Sequence, residues 1–339
     1  MGVCSPRRFI RGSLIIAFLF SILFVLVLHN PKDVMMYKRF IHVVPNEDPC
    51  NSLMQNISAT DSVLNGTQSR DLVSTAPRQL ITVEDVINES ILKSPVVMIC
   101  INSGFLEFLD NLLCSIFHVE LLQNILIVCE DELAYQRLSA KFKGQSIRVA
   151  LTNQKYSPEG AAKRFSKDYK ELVRKRVSYI EMLLQNNFDV FYIDADIVLV
   201  QNPLLYFTGD FDAFVQIENP PKMESYCSGF FYMKSNNMTL KFVKTWQSRL
   251  LKDPQGNQIV FARMLRFFDH EKLLKIRRLP HKQFSSGKVF FASKVPWQKR
   301  QPPVVAVHAN WIVGHDQKKQ KLKDAKLWFI NGTKCILPS

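Results

Sequence analysis

Two aspartates separated by a single residue, Asp194 and Asp196, are the side chains of this sequence best suited to chemistry. They follow the apolar run Val190–Ile193, whose aromatic and β-branched residues predict a buried strand. Two carboxylates at the end of an interior strand are costly unless a cation lies against them. Mg²⁺ and Mn²⁺ are typically held by one or two carboxylates together with substrate phosphates. The pair therefore predicts a divalent-metal site, and a solvated turn at a strand end is the alternative.

A segment near the carboxyl terminus offers the other groups that such a site needs. The apolar run 304–308 predicts a strand that ends in His308, and imidazole is a ligand for borderline metals such as Mn²⁺. Gly314 permits close backbone approach to an anion, and Lys318 is a point cation for phosphate. A buried core histidine is the alternative for His308, and His315 competes with it as the metal ligand.

The elements that must position these groups alternate between strands and helices. Strands are predicted over residues 95–101, 124–129 and 146–151, and helices over 105–117 and 165–184. Such alternation implies βαβ units and a mainly parallel sheet. Ligands of these sheets bind beyond the carboxyl ends of the strands. We therefore predict that Asn102 and Ser103, which follow the first strand, face the same cleft as the two aspartates.

The second half of the chain continues this pattern. Strands are predicted over residues 211–217, 227–233 and 304–308, and helices over 240–251 and 258–268. Gly229 lies within the second of these strands and is followed by aromatic residues. This arrangement suggests either a backbone that a ligand approaches closely or a β-bulge.

The first 28 residues differ in character from the rest of the chain. Arg7, Arg8 and Arg11 precede a 17-residue apolar segment at 12–28, which is at the short end of what spans a bilayer. No small-residue cleavage site follows, and arginines on the amino-terminal flank favour a cytosolic tail. A short span suits the thinner early-secretory membranes. We predict a single-pass type II protein of the Golgi membrane with a cytosolic tail (1–11), a signal anchor (12–28), a largely disordered luminal stem (29–92) and a folded luminal domain (93–339).

Glycosylation sequons and cysteines fit a luminal body. Five Asn-x-Ser/Thr sequons are predicted to be N-glycosylated, at Asn56, Asn65, Asn88, Asn237 and Asn331. Six of the seven cysteines would lie in the lumen, where disulfides are permitted, although no pairing can be assigned. Cys100 and Cys129, at the ends of apolar strands, are also explained as core residues.

The formal net charge of +14 has to be explained within that compartment. Such a balance is typical of nucleic-acid-binding proteins, but a luminal body argues against nucleic acid as a partner. Many of the charges fall in two predicted helices, at 164–176 and 318–326, where a solvated face is the simple explanation. The functional explanation is that these charges attract an anionic, diphosphate-bearing ligand.

The aspartate block and its surroundings resemble a known family. The run from Arg176 through residues 188–198 to Asn202-Pro203 resembles the nucleotide-diphospho-sugar transferase family, which includes plant cell-wall xylosyl- and arabinosyltransferases. Later blocks are similar to the remaining blocks of that family in the expected order: residues 228–236, Trp246, Asn257-Gln258 and residues 308–311. The resemblance covers residues 96–329.

The resemblance implies a GT-A fold, which is a Rossmann-like α/β architecture with flanking helices. It also implies that Asp194 and Asp196 lie at the metal and the nucleotide sugar, that His308 binds the metal, and that Gln258 faces the transferred sugar. Arg176 would lie near the donor, with Gly314 and Lys318 at its diphosphate. Gly229, in its strand, is also predicted to contact the donor. The family usually has Asp before this glutamine, whereas this chain has Asn257, which keeps hydrogen bonding but lacks the charge.

These observations together predict a glycosyltransferase, and the resemblance implies that it retains the anomeric configuration. It would move a sugar, xylose or another pentose by the resemblance, from a UDP-sugar to a hydroxyl of a glycan or glycoprotein, with Mn²⁺ or Mg²⁺ as cofactor. The predicted catalytic residues are Gln258, Asn257 and Asp196. Two alternatives stay open. One is a non-catalytic luminal protein that binds nucleotide sugars, with which Asn257 is compatible. The other is a metal-dependent phosphohydrolase, which usually needs more metal ligands than lie near the motif.

Overall fold

A computed structural model of the chain describes residues 80–89, 92–121, 124–152, 167–218, 225–253, 255–332 and 334–336. The predicted anchor at 12–28, most of the predicted stem and the sequons at Asn56 and Asn65 lie outside these residues. Among the helices of the described part, none combines the length and the apolarity needed to cross a membrane.

Strands and helices alternate along most of the described chain. The strands are β1 (Val96–Ile101), β2 (Ile125–Cys129), β3 (Arg148–Leu151), β4 (Val190–Ile193), β5 (Ile197–Leu199), β6 (Ala213–Ile217), β7 (Tyr226–Met233), β8 (Ile276–Leu279), β9 (Phe284–Ser286), β10 (Ala306–His308), β11 (Ile330–Asn331) and β12 (Lys334–Cys335). The helices are α1 (Val83–Asn88), α2 (Leu106–His118), α3 (Glu132–Lys141), α4 (Lys167–Gln185), α5 (Asn237–Lys252), α6 (Asn257–His270), α7 (Gly287–Ala292) and α8 (His315–Asp324).

A seven-stranded sheet with the order β3-β2-β1-β4-β7-β6-β8 forms the centre of the fold. The pairs β3–β2, β2–β1, β1–β4 and β6–β8 are parallel, whereas β7 runs antiparallel to both of its neighbours. The predicted α/β class with a mainly parallel sheet is therefore confirmed. The antiparallel strand β7 carries Gly229 past the end of β4, where the two aspartates follow.

Both faces of this sheet are covered at its centre, which explains why β1, β2 and β4 read as continuous apolar runs. All six residues of β1 are buried, and their side chains alternate between the two faces. Ile99 belongs to the core that includes α2, α3 and α8, whereas Met98 belongs to the core that includes α4, α5 and α6.

A second, three-stranded sheet with the order β5-β10-β9 brings the distant parts of the site together. β10 pairs antiparallel with β5, so that His308 lies opposite Ile197, and it pairs parallel with β9, so that His308 also lies beside Ser286. The Ala309 amide donates to the Asp196 carbonyl oxygen at 2.9 Å. This pairing places the imidazole next to the second aspartate.

The folded domain begins earlier than the predicted boundary at residue 93. Residues 82–88, which we predicted to be stem, form a capped helix in which the Thr82 side chain accepts from the Asp85 amide and the Asp85 carboxylate accepts from the Thr82 amide. Val83 and Val86 are buried, and the Leu151 amide donates to the Ile81 carbonyl at 2.8 Å. This segment therefore extends the edge of the sheet beside β3.

A disulfide joins Cys114 of α2 to Cys335 of β12, a pairing that the sequence alone did not assign. The Cα atoms lie 5.7 Å apart, within the usual range for a disulfide. Cys100, Cys129 and Cys227 are buried free thiols, so the first two are core residues at the ends of their strands.

Candidate active site

Asp194, Asp196 and His308 converge at the carboxyl end of β4. The His308 Nε2 atom lies 3.1 Å from Asp196 Oδ1 and 3.8 Å from Asp194 Oδ2, and one ligand atom from each residue falls within 4.8 Å of the others. The Asp196 and His308 side chains are 10% and 4% exposed, whereas Asp194 is 33% exposed. Asp194 therefore forms the open side of the cluster.

The second ring nitrogen of His308 is held from behind by a buried glutamine. His308 Nδ1 lies 3.1 Å from Gln216 Oε1, and the Gln216 Nε2 group donates to the Phe284 carbonyl. Because that donation turns the Gln216 oxygen toward the ring, Nδ1 carries the proton and donates. Nε2 then faces the two carboxylates, and in the neutral ring it is the nitrogen whose lone pair can bind a metal held by them.

Gly229 forms a wall of the cluster. A Cβ atom added to it would lie 2.1 Å from Asp194 Oδ2 and 2.9 Å from His308 Cε1. The glycine therefore gives the carboxylate its position. The Gly229 carbonyl also accepts from the Asp194 amide at 2.8 Å, which fixes the start of the aspartate turn against β7.

The ionisation of the cluster follows from its burial and its cations. Burial alone would raise the pKa of Asp196, but the Lys318 ammonium and the His308 ring hold it far below its ordinary value. Burial raises the pKa of Asp194, and nearby His308 and Arg176 only partly oppose that rise. Burial disfavours the charged form of His308, but Asp196 outweighs it and the pKa of His308 is raised.

These residues fit a divalent cation. Two carboxylates and one imidazole nitrogen suit Mn²⁺, and Mg²⁺ accepts the same carboxylates with water or phosphate oxygens. The glycine wall leaves room beside Asp194, and the Gln216 contact sets the required tautomer. Lys318, which we predicted at the diphosphate, lies with its Nζ atom 2.5 Å from Asp196 Oδ2 and so adds a further positive charge to the cluster.

A buried carboxylate that the sequence analysis missed lies behind the candidate sugar-binding residues. Glu218 is 1% exposed and accepts hydrogen bonds from the Gln258 side-chain amide and from Asn310 Nδ2, the latter at 2.6 Å. Burial raises the pKa of Glu218. Because both amides turn their nitrogen toward this carboxylate, the Gln258 oxygen points away from it. In the sequence, Glu218 is one lone acid after a strand, and nothing marks it.

Asn257, the predicted departure from the family pattern, is tied into α5 and β7. Its Oδ1 atom accepts from Trp246 Nε1 at 3.0 Å, and its Nδ2 group donates to Ser228 Oγ at 3.2 Å. The side chain thus links the first residue of α6 to its neighbours, beside Gln258.

Arg176 forms an ion pair instead of remaining open to a ligand. Its Nε and Nη2 groups donate to the two carboxylate oxygens of Glu130 at 2.5 and 3.0 Å. Burial disfavours the charged guanidinium, but Glu130 outweighs it and the pKa of Arg176 is raised well above its usual value. The charge still acts on Asp194, whose Oδ1 atom also accepts from the Tyr192 hydroxyl at 3.0 Å.

Asn102 and Ser103 are engaged locally at the end of β1. The Asn102 side chain accepts from the Gly104 amide, and the Ser103 amide donates to Asp131 Oδ2 at 2.6 Å. The other oxygen of Asp131 caps α3 by accepting from the Ala134 amide. The predicted contact of these two residues with a donor stays a prediction.

The two histidines of the carboxyl-terminal segment are separated by the fold. His315 begins α8, and its Nε2 atom lies 3.1 Å from Glu107 Oε1 on α2. Lys319 also contacts Glu107. His308 is therefore the histidine beside the aspartates, and Gly314, with a φ of 96°, is the turn that redirects the chain into α8. A contact between Gly314 and a diphosphate stays a prediction.

The described sequon asparagines Asn88, Asn237 and Asn331 are all exposed, so their side chains are accessible. Their glycosylation stays a prediction.

Comparison with known proteins identifies the family. Residues 120–322 match the model of the nucleotide-diphospho-sugar transferase family. A UDP-D-xylose:L-fucose α-1,3-D-xylosyltransferase of Arabidopsis thaliana is 26% identical over 264 residues, covering 70% of this chain and 68% of that protein. A UDP-galactose:fucoside α-3-galactosyltransferase of Dictyostelium discoideum is 24% identical over 70% of this chain and 43% of its own length.

A crystal structure of the galactosyltransferase LgtC with donor and acceptor sugar analogues matches with a TM-score of 0.44 and 13% identity, over 72% of this chain and 97% of that one. The family match covers more than half of the sequence and includes both aspartates and His308. This chain therefore belongs to the nucleotide-diphospho-sugar transferase family and is a glycosyltransferase.

Proposed function

We propose that this protein transfers a sugar from a UDP-sugar to a glycan hydroxyl with retention of configuration, using a divalent metal held by Asp194, Asp196 and His308. The observation that carries the proposal is the meeting of these three side chains beside Gly229, with the His308 Nε2 atom turned toward the carboxylates. The relatives named above use UDP-xylose or UDP-galactose, which makes these the first donors to test.

The protein groups around the cluster have distinct roles in this proposal. When bound, the metal supplies Lewis-acid stabilisation to the leaving diphosphate. Lys318, 2.5 Å from Asp196, places an ammonium where negative charge accumulates as UDP leaves. Tyr192 and Gln216 orient Asp194 and His308 from the protein side.

Retention is proposed to proceed by displacement at the front face of the sugar. A covalent intermediate would need an accessible carboxylate, but both Glu218 oxygens are hydrogen-bonded and its side chain is buried. The orientation that Glu218 imposes on Gln258 leaves the Gln258 oxygen to accept a hydrogen bond from the substrate. Glu218 therefore acts as a positioning residue for Gln258.

The compartment is proposed to be the Golgi lumen, with a membrane anchor at residues 12–28. The apolar segment and its preceding arginines support this topology. The Cys114–Cys335 disulfide supports it independently, because disulfides persist in oxidising compartments. The exposed sequon asparagines Asn88, Asn237 and Asn331 agree with it.

The test is UDP release by the full-length protein incubated with UDP-xylose, UDP-galactose and other UDP-sugars in the presence of Mn²⁺. We expect Asp196→Ala to lower the release of UDP by at least about 1,000-fold, because a metal contributes several kcal/mol to transition-state stabilisation. Asp210→Ala is the matched control, since this aspartate is 89% exposed and pairs with Lys275 on the surface.

Three outcomes would contradict the proposal. Near-normal UDP release by a folded Asp196→Ala variant would exclude the metal site. Mn²⁺-dependent binding of UDP without transfer from any donor to any acceptor would indicate a non-catalytic binding protein. Release of UDP without any glycosylated product across a broad acceptor panel would indicate a phosphohydrolase.

A further inference from the structure

Trp311 is an exposed aromatic residue beside the candidate active site. Its side chain is 55% exposed and its φ is 64°, which is an uncommon backbone conformation for a bulky residue. It follows His308 by three residues, so their Cα atoms are at most about 11 Å apart. A single exposed aromatic residue is ordinary on a protein surface, so a binding role for Trp311 depends on the groups that lie around its indole.

The backbone that carries Trp311 is anchored to the site. Asn310 donates from Nδ2 to Glu218 and accepts at Oδ1 from the Gly287 amide at 2.8 Å. A Cβ atom on Gly287 would lie 2.1 Å from the Asn310 carbonyl oxygen, so the two segments are in close contact. These contacts fix the position of the indole relative to Glu218, which also orients Gln258.

A lysine lies over the indole. Lys288 follows Gly287 in α7, and its Nζ atom is 5.1 Å from the centroid of the Trp311 ring. One aromatic surface and one cation are thus held together three residues beyond His308. A pyranose ring presents a face of C–H groups that stacks on an indole, and an ammonium binds a carboxylate or sulfate on the same sugar.

The charge of the surrounding segment favours an anionic ligand. Residues 272–315 contain nine Lys and Arg residues and no Asp or Glu. Lys288, Lys294 and Lys299 of this segment are exposed. Lys275 and Arg278 of this segment are paired with Asp210 and Asp269, and the positive charge that remains raises the local concentration of anionic ligands.

We propose that Trp311 and Lys288 form the acceptor subsite, and that the acceptor is an acidic saccharide which stacks on the indole and places its carboxylate or sulfate against the ammonium. This inference rests on the proposed glycosyltransferase activity and adds the chemical class of the acceptor.

The test is a binding titration of the full-length protein with three tetrasaccharides: hyaluronan, which carries carboxylates, chondroitin sulfate, which also carries sulfates, and neutral cellotetraose. We expect at least one acidic tetrasaccharide to bind tenfold or more tightly than cellotetraose, with a difference that shrinks as salt is raised. Hyaluronan binding assigns the contact to a carboxylate, whereas binding of chondroitin sulfate alone assigns it to a sulfate.

Substitutions of Trp311 and Lys288 test the role of each residue in binding. Trp311→Ala is expected to weaken binding of the acidic tetrasaccharide tenfold or more, whereas Trp311→Phe retains most of it. Lys288→Glu is expected to abolish the preference for acidic over neutral saccharide. The matched controls are Phe267→Ala, an exposed aromatic residue of α6, and Lys241→Glu, an exposed lysine of α5, which should both bind as the unaltered protein does.

Equal binding of cellotetraose, absence of binding by both acidic probes, or unchanged acidic binding by Trp311→Ala would each overturn the inference. UDP release without acceptor tests donor cleavage at the proposed metal site separately, because that cleavage depends on Asp196. Trp311-dependent binding without UDP release would overturn the proposed function alone, and UDP release without Trp311-dependent binding would overturn only the acceptor assignment.

Discussion

Two clusters of buried charge lie at the carboxyl ends of β2 and β4, the two strands that flank β1, and they are compensated differently. Glu130, after β2, is 4% exposed and forms a two-pronged ion pair with Arg176, so its charge is matched within the protein. The cluster after β4 contains two aspartates, and Asp194 remains 33% exposed with a raised pKa. Buried charge alone therefore does not indicate a ligand site, whereas buried charge that the protein matches only in part does.

Replacing one carboxylate by an amide in each cluster should give the largest contrast between the two clusters. We expect Glu130→Gln to lower the free energy of unfolding by about 3 kcal/mol, because it leaves the Arg176 charge partly buried without its partner. Asp194→Asn should cost little stability, since it removes repulsion between carboxylates, but should weaken Mn²⁺ binding at least about 100-fold. Chemical denaturation and calorimetric Mn²⁺ titration measure the two quantities.

The comparison fails if Glu130→Gln weakens Mn²⁺ binding as strongly as Asp194→Asn does. Glu132→Gln, on the first turn of α3, is the control for a nearby exposed acid.

Substitution of Gln216, whose oxygen contacts His308 Nδ1, should have the next largest effect. Gln216→Leu removes the acceptor for His308 Nδ1, and we expect Mn²⁺ affinity to fall about 10- to 100-fold, as is usual when the partner of a metal-binding histidine is lost. Gln216→Glu keeps an acceptor and should restore most of that affinity. If Gln216→Leu binds Mn²⁺ as tightly as the unaltered protein, the orientation inferred for the ring is wrong.

Lowering the pH should weaken Mn²⁺ binding by Asp194, Asp196 and His308. It should affect the ion pair between Glu130 and Arg176 less. The pKa of His308 is raised in the metal-free protein, so protons compete for Nε2 as the pH falls through that raised pKa. We expect Mn²⁺ affinity to decrease by up to about tenfold per pH unit below it. Calorimetric titrations at several pH values measure the slope, and a flat profile for the unaltered protein would exclude His308 as a ligand.

Substitutions of Asn257, the residue that departs from the family pattern, should have the smallest effect. Asn257→Asp keeps the bond from Trp246, and the Ser228 hydroxyl can rotate to donate to the new carboxylate, so the stability should change by less than about 1 kcal/mol. Asn257→Ala leaves the Trp246 N–H without its partner and should cost about 1–3 kcal/mol. Thermal unfolding compares the two, and equal losses would show that the side chain has no structural role.

Sequence patterns predicted the elements that are defined by local regularity. Asp194, Asp196 and His308 each follow an apolar run, and the strands before them lie where the runs predict them. The helices α2, α4, α5 and α6 agree with the predicted segments to within three residues at each end. The strands β8 and β9 and helix α7 are short and were not among the predicted elements.

What the sequence could not provide are the pairings between distant residues. Gln216 is one polar residue in an apolar strand, and its partner His308 is 92 positions away. Glu218 meets Gln258 and Asn310 through contacts 40 and 92 positions apart. Arg176 was expected near the donor, but its bond to Glu130 depends on how α4 lies against β2. No local pattern specifies such geometry.

The bond between Cys114 and Cys335, which are 221 positions apart, closes the chain between them into one covalent ring. That ring includes the proposed site residues Asp194, Asp196, Gln258, His308, Trp311 and Lys318. A protease that cuts once in an exposed loop within it would leave two fragments tethered, and they would separate only under a reducing agent. A protein nicked in this way would keep its mass on a non-reducing gel although the chain had lost its continuity at the cut.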